Sequence, residues 1–131
     1  MYNKVIMIGR LTSNPEMVKT ATDKAVSRVT IAVNRRYKSS SGEREADFVQ
    51  VVFWGRLAET LASYASKGSL VSIDGELRTR QYEKAGQKHY VTEVLGHGFQ
   101  LLESRAQRAM RENNVADELA DLVLEEEELP F

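Results

Sequence analysis

Segments of alternating apolar and polar residues follow one another along the chain in an order that few folds share. Five stretches either alternate apolar with polar residues or are almost wholly apolar, and each is predicted to be a strand. They are residues 4–11, 28–37, 48–54, 70–82 and 88–102. Between the third and the fourth, residues 56–66 place apolar side chains at helical spacing, which predicts one helix with a single buried stripe. The stripe consists of Leu57, Leu61, Tyr64 and Ala65.

Three strands, one helix and two strands is the element order of the OB-fold, a small Greek-key barrel. We therefore predict an all-β fold with one helix, a five-stranded OB-fold barrel over residues 1–103, followed by a short acidic C-terminal tail. Polar, Gly-containing stretches at residues 38–44 and 83–87 are typical of hairpin turns. Gly96 and Gly98 within the fifth strand predict a bulge or bend there.

Charge is divided unevenly along the chain. Residues 1–111 hold all 18 Lys and Arg with 11 of the 19 Asp and Glu, a net charge of +7. Residues 112–131 hold no Lys or Arg and eight Asp and Glu, a net charge of −8. A basic body joined to an acidic end indicates two binding tasks, one for a polyanion and one for a protein.

The acidic end finishes in four glutamates followed by three residues that are apolar. Apolar side chains beside so many carboxylates gain nothing until they dock on another surface. We therefore predict a partner-docking segment, called the tip, at residues 125–131. Its members are Glu125, Glu126, Glu127, Glu128, Leu129, Pro130 and Phe131. Residues 104–124 are predicted to link the tip to the barrel, and the spacing of apolar residues over 114–124 leaves a short helix and an irregular linker as alternatives.

Several classes of protein are excluded by what the sequence lacks. It has no cysteine, no apolar run near the ~20 residues of a membrane span and no signal-peptide pattern, which favours a soluble cytoplasmic protein. His89 and His97 lie roughly 26 Å apart on an extended strand, too far to share a metal. Asp74 and Glu76 have no third carboxylate at suitable spacing, and no phosphate-binding loop or nucleophile motif is present. We therefore predict no enzymatic activity, no metal and no cofactor.

Strand parity separates the core of the barrel from its outer face, because successive side chains point to opposite sides of a sheet. In the third predicted strand the inward set is Val49, Val51 and Phe53, and the outward set is Phe48, Gln50, Val52 and Trp54. In the fourth, the inward set is Val71, Ile73 and Leu77, and the outward set is Arg78, Arg80 and Tyr82. Exposed rings beside guanidinium groups are what single-stranded nucleic acid requires, since rings stack on unpaired bases and cations follow the phosphates.

The end of the second predicted strand extends this surface with Arg35, Arg36, Tyr37 and Lys38. Strict alternation points Tyr37 inward with Val33, so a twist or bulge near the hairpin would have to turn it outward. Two plainer interpretations stay open. Trp54 on the outside of a barrel is also explained by contact with another subunit, and scattered basic residues by a solvated face.

Taken in order, several stretches resemble the bacterial single-stranded DNA-binding protein family. They are residues 3–11 (NKVIMIGRL), 51–59 (VVFWGRLAE), 67–69 (KGS), 75–80 (GELRTR) and 90–94 (YVTEV). The resemblance covers roughly residues 2–102 and returns at residues 129–131. It implies an OB-fold homotetramer that wraps single-stranded DNA without sequence preference, and a tip that docks replication, repair and recombination proteins.

The resemblance also implies which residues contact DNA. The aromatic positions that match the family's stacking platform are Tyr37, Phe48, Trp54 and Tyr82. The basic positions that match its phosphate contacts are Arg10, Arg56, Arg78 and Arg80, with Lys38, Lys67 and Lys84 as additions.

Two departures from the family pattern bear on function. Tryptophans common on the platform are replaced by Tyr37, Phe48 and Tyr82, and the long Gly/Pro/Gln-rich linker is absent. The family includes short second copies linked to DNA uptake, and this chain resembles that size class. An RNA- or ribosome-associated OB-fold protein and a structural assembly module are the alternative functions.

Overall fold

The structure is a computed structural model and describes residues 1–113. The strands are β1 (Val5–Leu11), β2 (Val18–Lys19), β3 (Ala25–Lys38), β4 (Arg44–Trp54), β5 (Leu70–Lys84) and β6 (Gln87–Leu101). Helix α1 (Arg56–Tyr64) lies between β4 and β5, and a second helix, α2, covers residues 105–113. None of the helices in this part of the chain is both long and apolar enough to cross a membrane.

Five of the strands close into a barrel. The sheet runs β1–β5–β6–β4–β3, and β1 pairs back onto β3, for example at Leu11 and Ile31. The contact between β4 and β6 is short and parallel, with Val51 beside Val94, whereas the other pairs are antiparallel. The prediction of a five-stranded OB-fold barrel is therefore confirmed. The two-residue strand β2 and helix α2 are additional to the predicted pattern.

The barrel interior is filled by the inward side chains that alternation predicts. Val51, Phe53, Val71 and Ile73 are all buried, and the Phe53 ring meets the Phe99 ring edge-on at 5.6 Å between centroids. Two buried residues of α1, Ala58 and Leu61, pack against this core. Helix α1 thus helps to complete the core that the strands enclose.

Two predicted burials are wrong and one outward residue is buried, each for a local reason. Tyr64 is exposed at the end of α1, and Ala58 takes the buried position instead. Leu77 is 47% exposed because β1 pairs with β5 only as far as Gly75, so the β5–β6 hairpin continues beyond the barrel with no interior beneath it. Val52 belongs to the outward set, yet it is buried beneath neighbouring side chains on that face.

The bulge predicted near Gly96 and Gly98 is confirmed. Asp74 pairs with Gly98 and the next residue, Gly75, pairs with Gly96, so His97 is an extra residue in β6. Gly96 lies directly against the buried Phe53 ring, and a Cβ atom there would fall 2.3 Å from a ring carbon. The bulge thus brings the β6 backbone to a place where only glycine fits.

We predict that Gly96→Ala lowers the free energy of unfolding by about 1–3 kcal/mol, the usual cost of overpacking a core. Gly98→Ala is the matched control on the same strand, because its Cβ would approach only the Asp74 carboxylate oxygen at 2.8 Å, a side-chain end that can rotate away. Urea denaturation followed by circular dichroism measures both. Equal denaturation midpoints for the two variants would contradict this account of the bulge.

Candidate nucleic-acid interface

One continuous outer face runs across β5, β6, β4 and β3. Arg78 on β5 pairs with Glu93 on β6, and Val52 on β4 lies beside Leu95 on β6 and opposite Arg28 on β3. Residues in register project to the same side of a sheet. Together the outward residues of the four strands line one depression, called the groove. It is lined by Arg28, Val52, Trp54, Arg78, Thr79, Arg80, Glu93 and Leu95.

Trp54 is the aromatic residue of the groove. It is the last residue of β4 and is 42% exposed. Gly55 follows with a φ of +65°, a conformation that L side chains rarely adopt, and turns the chain into α1. Arg56, the first residue of α1, is exposed two positions after Trp54. The strand-to-helix junction therefore presents a ring and a cation close together in the sequence.

The arginines of the groove are held by carboxylates. Arg28 donates from Nη1 to Glu93 Oε2 at 3.0 Å, and Arg80 donates from Nε to Glu93 Oε1 at 3.1 Å. Arg78 donates to Glu76 at 3.4 Å. Hydrogen bonds from Arg78 and then from His97 hold the pKa of Glu76 below its usual value. Each groove arginine is thus oriented by at least one acidic neighbour.

Aromatic rings continue from the groove towards the turn of the β5–β6 hairpin. The Arg80 guanidinium lies 5.9 Å from the centre of the Tyr82 ring. Tyr82 stacks on its cross-strand partner His89, with ring centroids 5.1 Å apart and planes 19° apart. Lys84 is exposed at the end of β5. Arg78, Arg80 and Tyr82 therefore share one face, as strand parity predicts.

The β3–β4 hairpin presents two further predicted aromatics. Between Asn34 and Lys38 the register with β4 shifts, and Tyr37 in this irregular stretch is 83% exposed. An irregularity in the strand pairing is therefore present near the hairpin, and Tyr37 is exposed there. Phe48 is 69% exposed and shares the outward parity of Trp54, six residues and about 20 Å along the same strand. Arg36 and Lys38 are exposed beside Tyr37.

Arg35 lies in the same hairpin, but its guanidinium group forms ion pairs with two carboxylates. Its guanidinium contacts Asp47 at 2.8 Å and Glu45 at 2.9 Å. The hydrogen bond and charge of Asp47 raise the pKa of Arg35, and the same hydrogen bond lowers the pKa of Asp47. The positive charge of Arg35 is therefore largely compensated, in contrast to that of Arg36.

Arg10 and Lys67 lie apart from the groove. Arg10 donates to the Gly68 carbonyl at 2.9 Å and lines a separate depression together with residues of α2 such as Met110. Lys67, next to Gly68, is exposed, and its backbone N–H donates to the Asn14 side chain. The predicted basic residues thus lie in the groove (Arg78 and Arg80), in the β3–β4 hairpin (Arg35, Arg36 and Lys38), at the start of α1 (Arg56), at the end of β5 (Lys84) and beside Gly68 (Arg10 and Lys67).

Arg28, Glu93 and His89 belong to this face but are not among the sequence-predicted site residues. Arg28 has the parity of Thr30 and Ala32 on β3, so alternation alone places it outward. Its proximity to Glu93 depends on how β3, β4 and β6 are aligned, which the sequence does not display.

The tip and the segment over 114–124, for which a short helix and an irregular linker are the alternatives, lie outside the described residues. Within residues 1–113, no three His, Asp or Glu side chains come together as a bound metal ion requires.

Comparison with known proteins agrees with this arrangement. A model of the single-strand binding protein family matches residues 2–102. Over all 131 residues of both chains, the sequence is 79% identical to single-stranded DNA-binding protein 2 of Streptococcus agalactiae serotype V. It is likewise 76% identical, again over the whole of both chains, to single-stranded DNA-binding protein 1 of Streptococcus pyogenes serotype M6.

A longer relative is the single-stranded DNA-binding protein of Streptococcus mutans serotype c. It is 48% identical over 115 residues, which cover 87% of this chain and 70% of that protein. The full-length matches are of the same length as this chain, so the size class suggested by the short linker is confirmed. The chain therefore belongs to the bacterial single-strand binding protein family, among its short members.

Proposed function

We propose that the chain binds single-stranded DNA without sequence preference, as a binding protein rather than an enzyme. The observation that carries the proposal is the groove, where the exposed Trp54 ring and three arginines lie on one face of the barrel. Aromatic rings can stack on the bases of a nucleic-acid strand, and guanidinium groups can bind its phosphates. Every base has a face that can stack, so such a surface binds without reading sequence.

The path of the strand follows from the positions of the rings. Tyr82 continues the groove along the β5–β6 hairpin, and Phe48 and Tyr37 lie along the outward side and end of the β3–β4 pair. Stacking contributes about 1–3 kcal/mol per base. Arg78, Arg80 and the exposed Lys84 and Arg56 neutralise phosphates between the stacked bases.

The wider role is proposed from the family. We take the chain to protect single-stranded DNA during replication, repair, recombination or DNA uptake in the cytoplasm, and to recruit partner proteins through the tip. Assembly as a homotetramer is supported by exposed apolar side chains on the outward face of β1, Ile6 and Ile8, which a second copy would cover.

We predict that oligo(dT) quenches the fluorescence of Trp54, which is the single tryptophan of the chain. Trp54→Ala should weaken binding roughly 5- to 150-fold, the loss expected for one stacked base. Trp54→Phe, which keeps a ring, is the matched control and should retain most of the affinity. Anisotropy of a labelled oligonucleotide measures binding independently of the tryptophan. Tight binding with unchanged Trp54 emission would show that the ring does not face the DNA.

We predict that Arg78→Ala weakens binding to all sequences alike and reduces the salt dependence of affinity by about 0.7 in the log–log slope, the value for one phosphate contact on a single strand. Lys19→Ala, on the outermost strand β2, removes the same charge away from the groove lining and is the control. Arg80→Ala should also weaken binding, but it leaves the buried Glu93 with one partner fewer. An unchanged slope for Arg78→Ala in a salt titration would contradict the assignment.

We predict that deleting residues 129–131 abolishes capture of partner proteins and leaves DNA affinity unchanged or increased, because the deletion removes the apolar docking residues of the tip but no basic or aromatic residue proposed to bind DNA. Deleting residues 114–116 shortens the chain equally and keeps the tip, so it serves as the control. Affinity capture with identification of the bound replication and repair proteins measures the first effect, and oligo(dT) titration the second. Weaker DNA binding after loss of the three terminal residues would contradict a role for them in partner docking alone.

A further inference from the structure

A carboxylate lies beneath the groove that is proposed to hold a polyanion. Glu93 is 8% exposed and lies on the same outward face as Trp54 and Arg78. An acidic group here lowers the positive charge of the surface, and a charged group is buried at a cost unless it is paired. The presence of a buried carboxylate in this groove therefore needs a physical explanation.

The two oxygens of Glu93 each accept from a different strand. Oε2 accepts from Arg28 on β3, and Oε1 accepts from Arg80 on β5. Since β6, which carries Glu93, lies between β5 and β4 in the sheet, the carboxylate joins two sides of the groove.

The guanidinium groups are held by one nitrogen each, while the remaining nitrogens stay available. Within residues 1–113, Arg80 is engaged only through Nε and Arg28 only through Nη1. Their side chains are about half exposed, 45% for Arg80 and 52% for Arg28. Both Nη groups of Arg80 and the Nη2 and Nε groups of Arg28 can therefore donate to a phosphate. A guanidinium fork fixed in this way binds phosphate oxygens with less loss of conformational freedom.

We infer that Glu93 is a positioning residue that orients Arg28 and Arg80 for phosphate binding, and that Arg28 is a further DNA-contacting residue. The inference rests on the proposed function, since it concerns how the same groove holds single-stranded DNA. Arg80 in turn lies 5.9 Å from the Tyr82 ring, so the carboxylate also supports the place where the stacking surface begins.

A purely electrostatic role for Glu93 predicts the opposite result from a positioning role. If the carboxylate only reduced the positive potential, its removal would raise the affinity for DNA. If it orients the two arginines, its removal lowers the affinity although the groove gains one unit of positive charge. The sign of the change therefore separates the two accounts.

The test uses the full chain with Glu93→Gln, titrated with fluorescently labelled oligo(dT) over a range of salt concentrations. We expect binding about tenfold weaker than in the unaltered protein, the loss of one well-oriented charged hydrogen bond. In a chain that also carries Arg28→Ala and Arg80→Ala, Glu93→Gln should produce no further weakening, because a positioning residue acts through the groups that it holds.

Two results overturn the inference. One is that Glu93→Gln binds as tightly as the unaltered protein or more tightly, and the other is the same tenfold loss in the chain that lacks both arginines. If Glu93→Gln does not fold, as judged by thermal denaturation, Glu93→Asp replaces it. That variant keeps the charge but is one methylene too short to reach both arginines, and an affinity equal to that of the unaltered protein overturns the inference.

Oligo(dT) binding by the unaltered protein distinguishes a failure of the proposed function from a failure of this inference. An unaltered protein that does not bind oligo(dT) removes the proposed function and this inference together. An unaltered protein that binds well, beside a Glu93→Gln variant that binds equally well, leaves the proposed function in place and removes only the positioning role.

Discussion

The register between β5 and β6 is the constraint on which the groove depends. Below the bulge Val71 pairs with Leu101, and above it Arg78 pairs with Glu93, so one residue, His97, is gained on β6. A one-residue shift exchanges the two faces of a strand for all side chains beyond the bulge. The bulge at His97 therefore turns Glu93 outward and Val94 into the core. Without it, Arg78 would face Val94 and the arginines of the groove would have no buried carboxylate to hold them.

Helix α2 is anchored by residues that are not among those lining the groove. Arg108 donates to the Tyr64 carbonyl at the end of α1, and Arg111 donates to the Lys67 carbonyl and to Glu103. Burial raises the pKa of Glu103, but the backbone N–H of Leu70 and then Arg111 outweigh it and leave the pKa lowered. The helix is therefore anchored by a largely buried ion pair, and Arg111 in its last turn contacts the Lys67 carbonyl.

Alternation correctly predicts the burial of a side chain where its own strand determines that burial. It fails where burial depends on the neighbouring strands. Val51 and Phe53 are buried as their own strand requires, and Gly96 with Gly98 marks the bulge without reference to any partner. Leu77 is exposed because β1 begins beside Gly75 and does not cover β5 beyond it, which is a property of another strand. The pairing of Arg28 with Glu93 spans 65 positions in the sequence and depends on two alignments between strands, β3 with β4 and β4 with β6. Such contacts are set by the topology. The outward aromatic residues were therefore predictable from the sequence, whereas the pairing of Arg28 with Glu93 was not.

The two kinds of cation in the site have separate physical tasks. The groove holds only arginines, and each is fixed by a carboxylate, whereas Lys38, Lys67 and Lys84 have no ion pair within residues 1–113. An unpaired lysine attracts a strand as a point charge over about 10 Å, and salt screens this attraction. A planar guanidinium held by the largely buried Glu93 is screened less and presents its donors in a fixed direction. In the proposed complex the exposed lysines would therefore attract a strand, while the groove arginines would hold its phosphates beside Trp54.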